Sequence, residues 1–188
     1  MAKTPSNMIP LGTPAPDFRL PDTVTDATVS YADISGAQGT VVMFICNHCP
    51  YVLQIVDEIV AVAGAYQKQG IGFVAISSND IEAYPDDAPD RMRDMAEQRG
   101  FPFPYLYDAS QAVAKAYQAA CTPDFYVFDE QQRCVYRGQF DDARPGRKHI
   151  PVTGADLRAS LDSMLDGDMI PEEAQTPSQG CNIKWKQN

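Results

Sequence analysis

Ten residues constrain this chain more than any others: Val41-Val42-Met43-Phe44-Ile45-Cys46-Asn47-His48-Cys49-Pro50, an apolar run that ends in a Cys-x-x-Cys pair and a proline. A strand over 40–45 with no polar alternation has to be covered on both faces. Pro50 suits the first turn of a helix, where its missing N–H would have no partner. The spacing of Val52, Ile55, Val56, Ile59, Val60 and Val62 carries that helix to residue 69, and Gly70 ends it. A second apolar run follows over 71–77. Strand, helix and strand at these lengths give a right-handed crossover between parallel strands. The cysteines then lie where the helix begins and backbone N–H groups favour an anion, and the reading places Cys46 there as a thiolate.

Two cysteines at this spacing serve either a redox pair or half of a zinc site. The sequence has no second Cys-x-x-Cys and no His-x-x-x-His to complete the zinc site, so redox chemistry is the expectation. His48, between the cysteines, favours the ionised sulfur when its ring is protonated or donates to it. A stabilised thiolate makes the disulfide form more oxidising.

Charge narrows the partners. With 25 acidic and 15 basic residues the net charge is −10, which excludes nucleic-acid and anionic-membrane surfaces as natural partners. No run approaches the length of a membrane span, and residues 1–10 have no apolar stretch of signal-peptide length, so a cytoplasmic location is expected. Five cysteines in 188 residues do not make a disulfide-stapled scaffold, and the odd count leaves at least one thiol free or shared between molecules.

In order, residues 1–14 read as a loose arm, 15–170 as one domain, and 171–188 as a tail docked on it. A short strand around Phe18 and Leu20 pairs with 29–31. The stretch 78–89, with Asn79, Asp80, Glu82, Asp86 and Asp87, reads as a solvated loop rather than a cation site. Helices are expected over 89–99, 111–118 and 156–165, the last capped near Thr153. Strands are expected over 105–107, 125–128 and 134–139, the last two as an antiparallel hairpin with Val135 and Arg137 on one face. In the tail, Cys181, Ile183 and Trp185 alternate, and Ile183 and Trp185 are expected to anchor it. Cys181 reads as structural, unless its sulfur reaches Cys46 or Cys49.

The block Gly12-x-x-Ala15-Pro16-Asp17-Phe18-x-Leu20 is similar to the opening of the peroxiredoxin and thiol-specific-antioxidant branch of the thioredoxin superfamily. Cys46-Asn47-His48-Cys49-Pro50-Tyr51-Val52, Ser77-Ser78-Asn79-Asp80 and Gly180-Cys181-Asn182-Ile183-Lys184-Trp185-Lys186 resemble an uncharacterised bacterial group within it. The resemblance implies an α/β, thioredoxin-like fold: a central mixed sheet flanked by helices, with an N-terminal strand extension. It implies that Thr122-Pro123 is the cis-proline site facing the active disulfide, where substrate binds. The chain departs from thioredoxin in having Ile45 for the usual tryptophan and Asn47-His48 for Gly-Pro. It departs from peroxiredoxins in having Cys46 where a Thr or Ser precedes the peroxide-attacking cysteine, a position that aligns with Cys49.

The expected function is thiol–disulfide exchange through Cys46 and Cys49, assisted by His48. Cys46 attacks and Cys49 resolves, without cofactor or metal, on protein or small-molecule disulfides and with a thiol electron donor. One alternative is a thiol peroxidase with Cys49 peroxidatic and Cys46, Cys121 or Cys181 resolving. Another is a metal-binding protein using Cys46, Cys49 and Cys121, with His48 or His149 as a fourth ligand. The sequence does not set the oligomeric state.

Overall fold

The computed structural model describes residues 3–147 and 149–187. In chain order its elements are β1 (Lys3–Pro5), β2 (Arg19–Pro21), β3 (Thr28–Ser30), α1 (Tyr31–Ile34), β4 (Gly39–Phe44), α2 (Pro50–Gln67), β5 (Ile71–Ser77), α3 (Pro89–Arg99), β6 (Tyr105–Tyr107), α4 (Ala112–Ala116), β7 (Cys121–Thr122), β8 (Asp124–Phe128), β9 (Cys134–Gly138), α5 (Ala155–Leu165) and β10 (Gln179–Asn182).

The apolar run at 41–45 explains the architecture. In a strand successive side chains take opposite faces, so Val41, Met43 and Ile45 join one core with Ile55, Ile59, Leu157 and Leu161. Val42 and Phe44 join the other with Tyr31, Leu106, Tyr117 and Phe128. β4 is therefore central, in a sheet of order β6-β5-β4-β8-β9. It runs parallel to β5, with β6 parallel beyond, and antiparallel to β8 on its other side. β8 and β9 form the expected hairpin, with an irregularity between Val127 and Phe128. No helix among the described residues is long and apolar enough to cross a membrane.

Helix ends follow local chemistry. α2 begins with Pro50 in its first turn and Cys49 as N-cap, and α3 begins with Pro89 and ends at Gly100 in the left-handed region. α4 is shorter than expected: Gln111 sits at φ 61°, outside the helix, while Ser110 Oγ and Asp108 Oδ2 accept from the N–H groups of Ala112 and Ala114. α5 is capped at Gly154, next to Thr153 as expected. The buried Asp141 takes both of their N–H groups at 2.8 Å. Arg137 is buried, with its guanidinium bonded to the Ile9 carbonyl, Gln175 and Glu172.

The two ends of the described chain differ most from the sequence reading. Residues 3–14 are not a loose arm: β1 pairs with β10, which pairs with β7, in a small antiparallel sheet. Ser6 and Ile9 are buried, and Ser6 N–H donates to the Ser178 carbonyl at 2.9 Å. Ile183 is buried, but Trp185 is 40% exposed and does not anchor the tail. Alternation stops at Lys184, whose N–H donates to Asn79 Oδ1 and whose carbonyl accepts from Asp80 N–H and Gln111 Nε2. Held from both sides, the backbone turns Trp185 outward beside the Lys115 ammonium.

Candidate active site

β4 delivers Cys46 and its neighbours to the carboxyl end of the sheet. Because Pro50 occupies the start of α2, Cys49 rather than Cys46 is the residue at the helix N-terminus, which corrects the sequence placement. Neither cysteine is open to solvent, at 1% and 0% exposure. Both face Thr122, at a cis Thr122–Pro123 bond. Cys46 Sγ lies 3.3 Å from Thr122 Oγ1, and Cys49 Sγ lies 3.2 Å from the Thr122 carbonyl oxygen.

Cys49 is the sulfur that the site ionises. Its pKa falls to about 5, first because the Cys46 thiol donates to it; burial opposes this, and the Cys181 thiol and the N–H groups of Val52 and Cys181 reinforce it. The Thr122 carbonyl can accept only from a protonated Cys49 and so favours the thiol. As a thiol, Cys49 is placed to donate to the Thr122 carbonyl and to Cys181 Sγ, and on ionisation the second contact reverses. Cys46 is pushed well above its ordinary value, because its proton is held by Cys49, then by burial and by the nearby Asp87 and Cys49 charges.

His48 sits against Asp87, with Nδ1 to Oδ2 at 2.7 Å. That carboxylate raises the His48 pKa against the opposing effect of burial, and the Cys49 charge adds to the rise. Asp87 has no solvent exposure. Burial alone would raise it, but His48, Asn79 and the Asn47 N–H together hold it below its ordinary value. Asn47 N–H donates to Oδ1 at 2.8 Å and Asn79 Nδ2 to Oδ2 at 2.7 Å. Tyr84 stacks on the His48 ring at 5.5 Å, and the Lys184 ammonium lies 5.4 Å from the centre of the Tyr84 ring. Beside this stack an open groove of about 670 Å³ is lined by Asp80, Glu82, Tyr84, Lys184, Trp185 and Lys186.

The loop 78–89 is thus not simply solvated, because Ser78, Asn79 and Asp87 are buried and build the site. A signal for this was present. Loops leaving the carboxyl ends of adjacent parallel strands lie side by side, so the stretch after β5 had to meet the cysteines after β4.

The remaining cysteines separate. Cys181 is a neighbour of the pair, with its sulfur 3.1 Å from Cys49 Sγ; burial and its bond to Cys49 push its pKa up to about 12. Cys121 directs its sulfur to the Pro123 carbonyl at 3.6 Å, and burial raises it far above an ordinary thiol. Cys134 lies in the opposite core. Among the described residues the metal-type donors gathered within 4.8 Å are Cys46, His48 and Asp87, a group that includes neither Cys121 nor His149. The set expected for metal binding is therefore not the one assembled, and the His48–Asp87 contact is accounted for as an ion pair.

The sequence profile of the AhpC/TSA family matches residues 11–137. No curated protein matches the chain. Among solved structures the chain is similar to an uncharacterised conserved protein from Geobacillus kaustophilus, at 53% identity and a TM-score of 0.96 over 100% of this chain and 98% of that one. It is also similar to a hypothetical protein from Sinorhizobium meliloti, at 49% identity and a TM-score of 0.94 over 98% of this chain and 100% of that one. Peroxidoxin BcpB from Mycobacterium tuberculosis aligns at 18% identity and a TM-score of 0.61, covering 84% of this chain and 96% of that one. At that identity the likeness concerns the fold alone.

Proposed function

The chain belongs to the AhpC/TSA family and has a thioredoxin-like fold, and from that premise we propose that it is a thiol–disulfide oxidoreductase whose working pair is Cys46 and Cys49. The observation that carries this reading is the convergence of both sulfurs of the Cys-x-x-Cys pair on Thr122 at its cis bond to Pro123, Cys46 Sγ 3.3 Å from Thr122 Oγ1 and Cys49 Sγ 3.2 Å from the Thr122 carbonyl oxygen. The fold also lowers the Cys49 pKa and raises that of Cys46, so the reduced pair is one thiolate and one thiol, the arrangement from which a disulfide closes and reopens.

The roles follow from the unequal sulfurs. In the oxidised pair Cys49 is the better leaving group, because a thiol of lower pKa departs more readily. A substrate thiolate attacks Cys46 Sγ, the Cys46–Cys49 bond breaks, and Cys49 leaves with the bonding electrons as the stabilised thiolate. The second substrate thiol then displaces Cys46 from the mixed disulfide and takes the new bond. In the opposite direction Cys49 attacks the Cys46–substrate disulfide. Thr122, which faces both sulfurs, and Pro123 next to it would receive the substrate chain. Stabilising one thiolate favours the reduced pair, so the protein works as an acceptor of electrons from dithiols.

The test is a pair of traps. Cys49→Ser accumulates mixed disulfides through Cys46. Accumulation only in Cys46→Ser reverses the roles, and none in either variant removes the reading. The pair's reduction potential is expected above the value of about −270 mV typical of thioredoxin.

One observation favours a second reading. Cys49, followed by Pro50 and ionised at a helix N-terminus, has the position and charge of a peroxide-attacking cysteine. Under that reading a sulfenic-acid reagent labels Cys49 after one equivalent of peroxide. Peroxide consumption no faster than that of a free thiol excludes it.

A further inference from the structure

We propose that Cys181 is a third redox-active sulfur, which takes the disulfide over from the Cys46–Cys49 pair and stores it as Cys49–Cys181; the proposal rests on the oxidoreductase reading and extends it. A buried cysteine that only fills space needs no particular neighbour. Cys181 has a specific one, with its sulfur 3.1 Å from the Cys49 sulfur although 132 positions separate them in the chain.

The backbone holds that contact. β10 lies between two strands, with Cys181 opposite Thr122 of β7 on one side and Lys3 of β1 on the other. Gly180 packs so closely that a Cβ there would stand 1.9 Å from the Thr122 carbonyl oxygen. The strand that carries Cys181 is therefore bonded to the residue that both Cys46 and Cys49 touch. Ile183, buried in the opposite core, supplies the tail's apolar anchor. Cys181 is not needed for that task, and its side chain instead joins the core cluster that holds Cys46 and Cys49.

The step is an internal exchange and needs no further oxidant. The Cys181 sulfur attacks Cys49 Sγ of the Cys46–Cys49 disulfide and forms the new bond. The old bond breaks, Cys46 leaves with its electron pair, and the proton lost by Cys181 ends on Cys46. The oxidising equivalent enters with the substrate disulfide that first oxidised the pair. The product joins the start of α2 to the tail and returns Cys46 as a free thiol.

The experiment is peptide mapping after graded oxidation of the reduced protein with diamide, an acid quench and alkylation of free thiols. In Cys46→Ser, most of Cys49 is expected in a peptide linked to Cys181, with Cys121 and Cys134 alkylated. Recovery of Cys49 as an alkylated thiol, or only in intermolecular dimers with Cys181 alkylated, overturns the proposal. Wild-type protein, which needs no substitution to fold, supplies the second measurement. Both Cys46–Cys49 and Cys49–Cys181 peptides are expected, and a map with Cys46–Cys49 alone at every ratio of oxidant also overturns it. Absence of the Cys46–Cys49 peptide from Cys181→Ser, where no transfer can occur, would instead remove the working pair of the oxidoreductase reading, so the two failures are distinguishable. Cys181→Ser should abolish only the second peptide.

Discussion

At position 87 a carboxylate without solvent exposure accepts from Asn47 and Asn79 and faces His48. Asp87→Ala leaves those donors, the Asn79 amide among them buried, without their partner. A loss of about 3 kcal/mol is expected, as for breaking a buried charge pair, read from urea unfolding; a loss below about 1 kcal/mol would show that water replaces the carboxylate. Asp87 is held below its ordinary 3.8, so its contribution is full above 3.8 and fades as pH falls through its folded value. His48 is held above its ordinary 6.5, so its contribution is full below 6.5 and fades as pH rises through its folded value. The stability difference between wild type and Asp87→Ala should therefore be largest between pH 3.8 and 6.5 and shrink on both sides. A difference independent of pH would mean that the pair is not charged. Cys46, His48 and Cys49 were legible in the sequence because they are neighbours there. Asp87 was read as part of a solvated loop and Cys181 was left between a structural and a resolving role, because both reach the site from distant parts of the chain.

Among the elements, those with both ends written in residue chemistry were legible. α2 and α3 open on prolines, α3 closes on a glycine, and β4 and β5 are unbroken apolar runs. β1 and β10 were hidden for a physical reason. Short strands such as these carry little propensity of their own and form because a partner presents unpaired backbone groups, here across almost the whole chain. The close fit of Gly180 on Thr122 gives an element-scale prediction. Gly180→Ala places a methyl group against backbone that cannot yield, and β10 must move away from β7. A loss of about 1–3 kcal/mol is expected, as for other overpacked sites. The Cys49–Cys181 disulfide should disappear from peptide maps while Cys46–Cys49 still forms. Unchanged stability with both disulfides present would show that β10 is free to shift without cost.

For the molecule as a whole, strand–helix–strand logic made the parallel β4–β5 pair legible, and the hairpin β8–β9 was local. The pairing of β4 with β8, which completes the mixed sheet and brings Thr122 over the cysteines, joins segments about eighty residues apart and required the resemblance to be foreseen. That sheet couples redox state to stability. Folding lowers Cys49 from its ordinary 9.0 to about 5, so the folded reduced protein is ionised where the unfolded chain is still protonated. The resulting stabilisation is complete above 9.0 and is lost as pH falls through about 5. Cys46, held up, has no effect until pH passes its ordinary 9.0. The disulfide form lacks the titrating thiolate, so the stability of the reduced form minus that of the oxidised form reports this group together with the part of the His48 shift that its charge causes. Between pH 5 and 9 that difference should rise by up to about 1.4 kcal/mol per pH unit, less where His48 titrates, measured by urea unfolding of both forms in parallel. A flat difference across that range would show that no thiolate is stabilised by the fold, and would remove the basis for an oxidising pair.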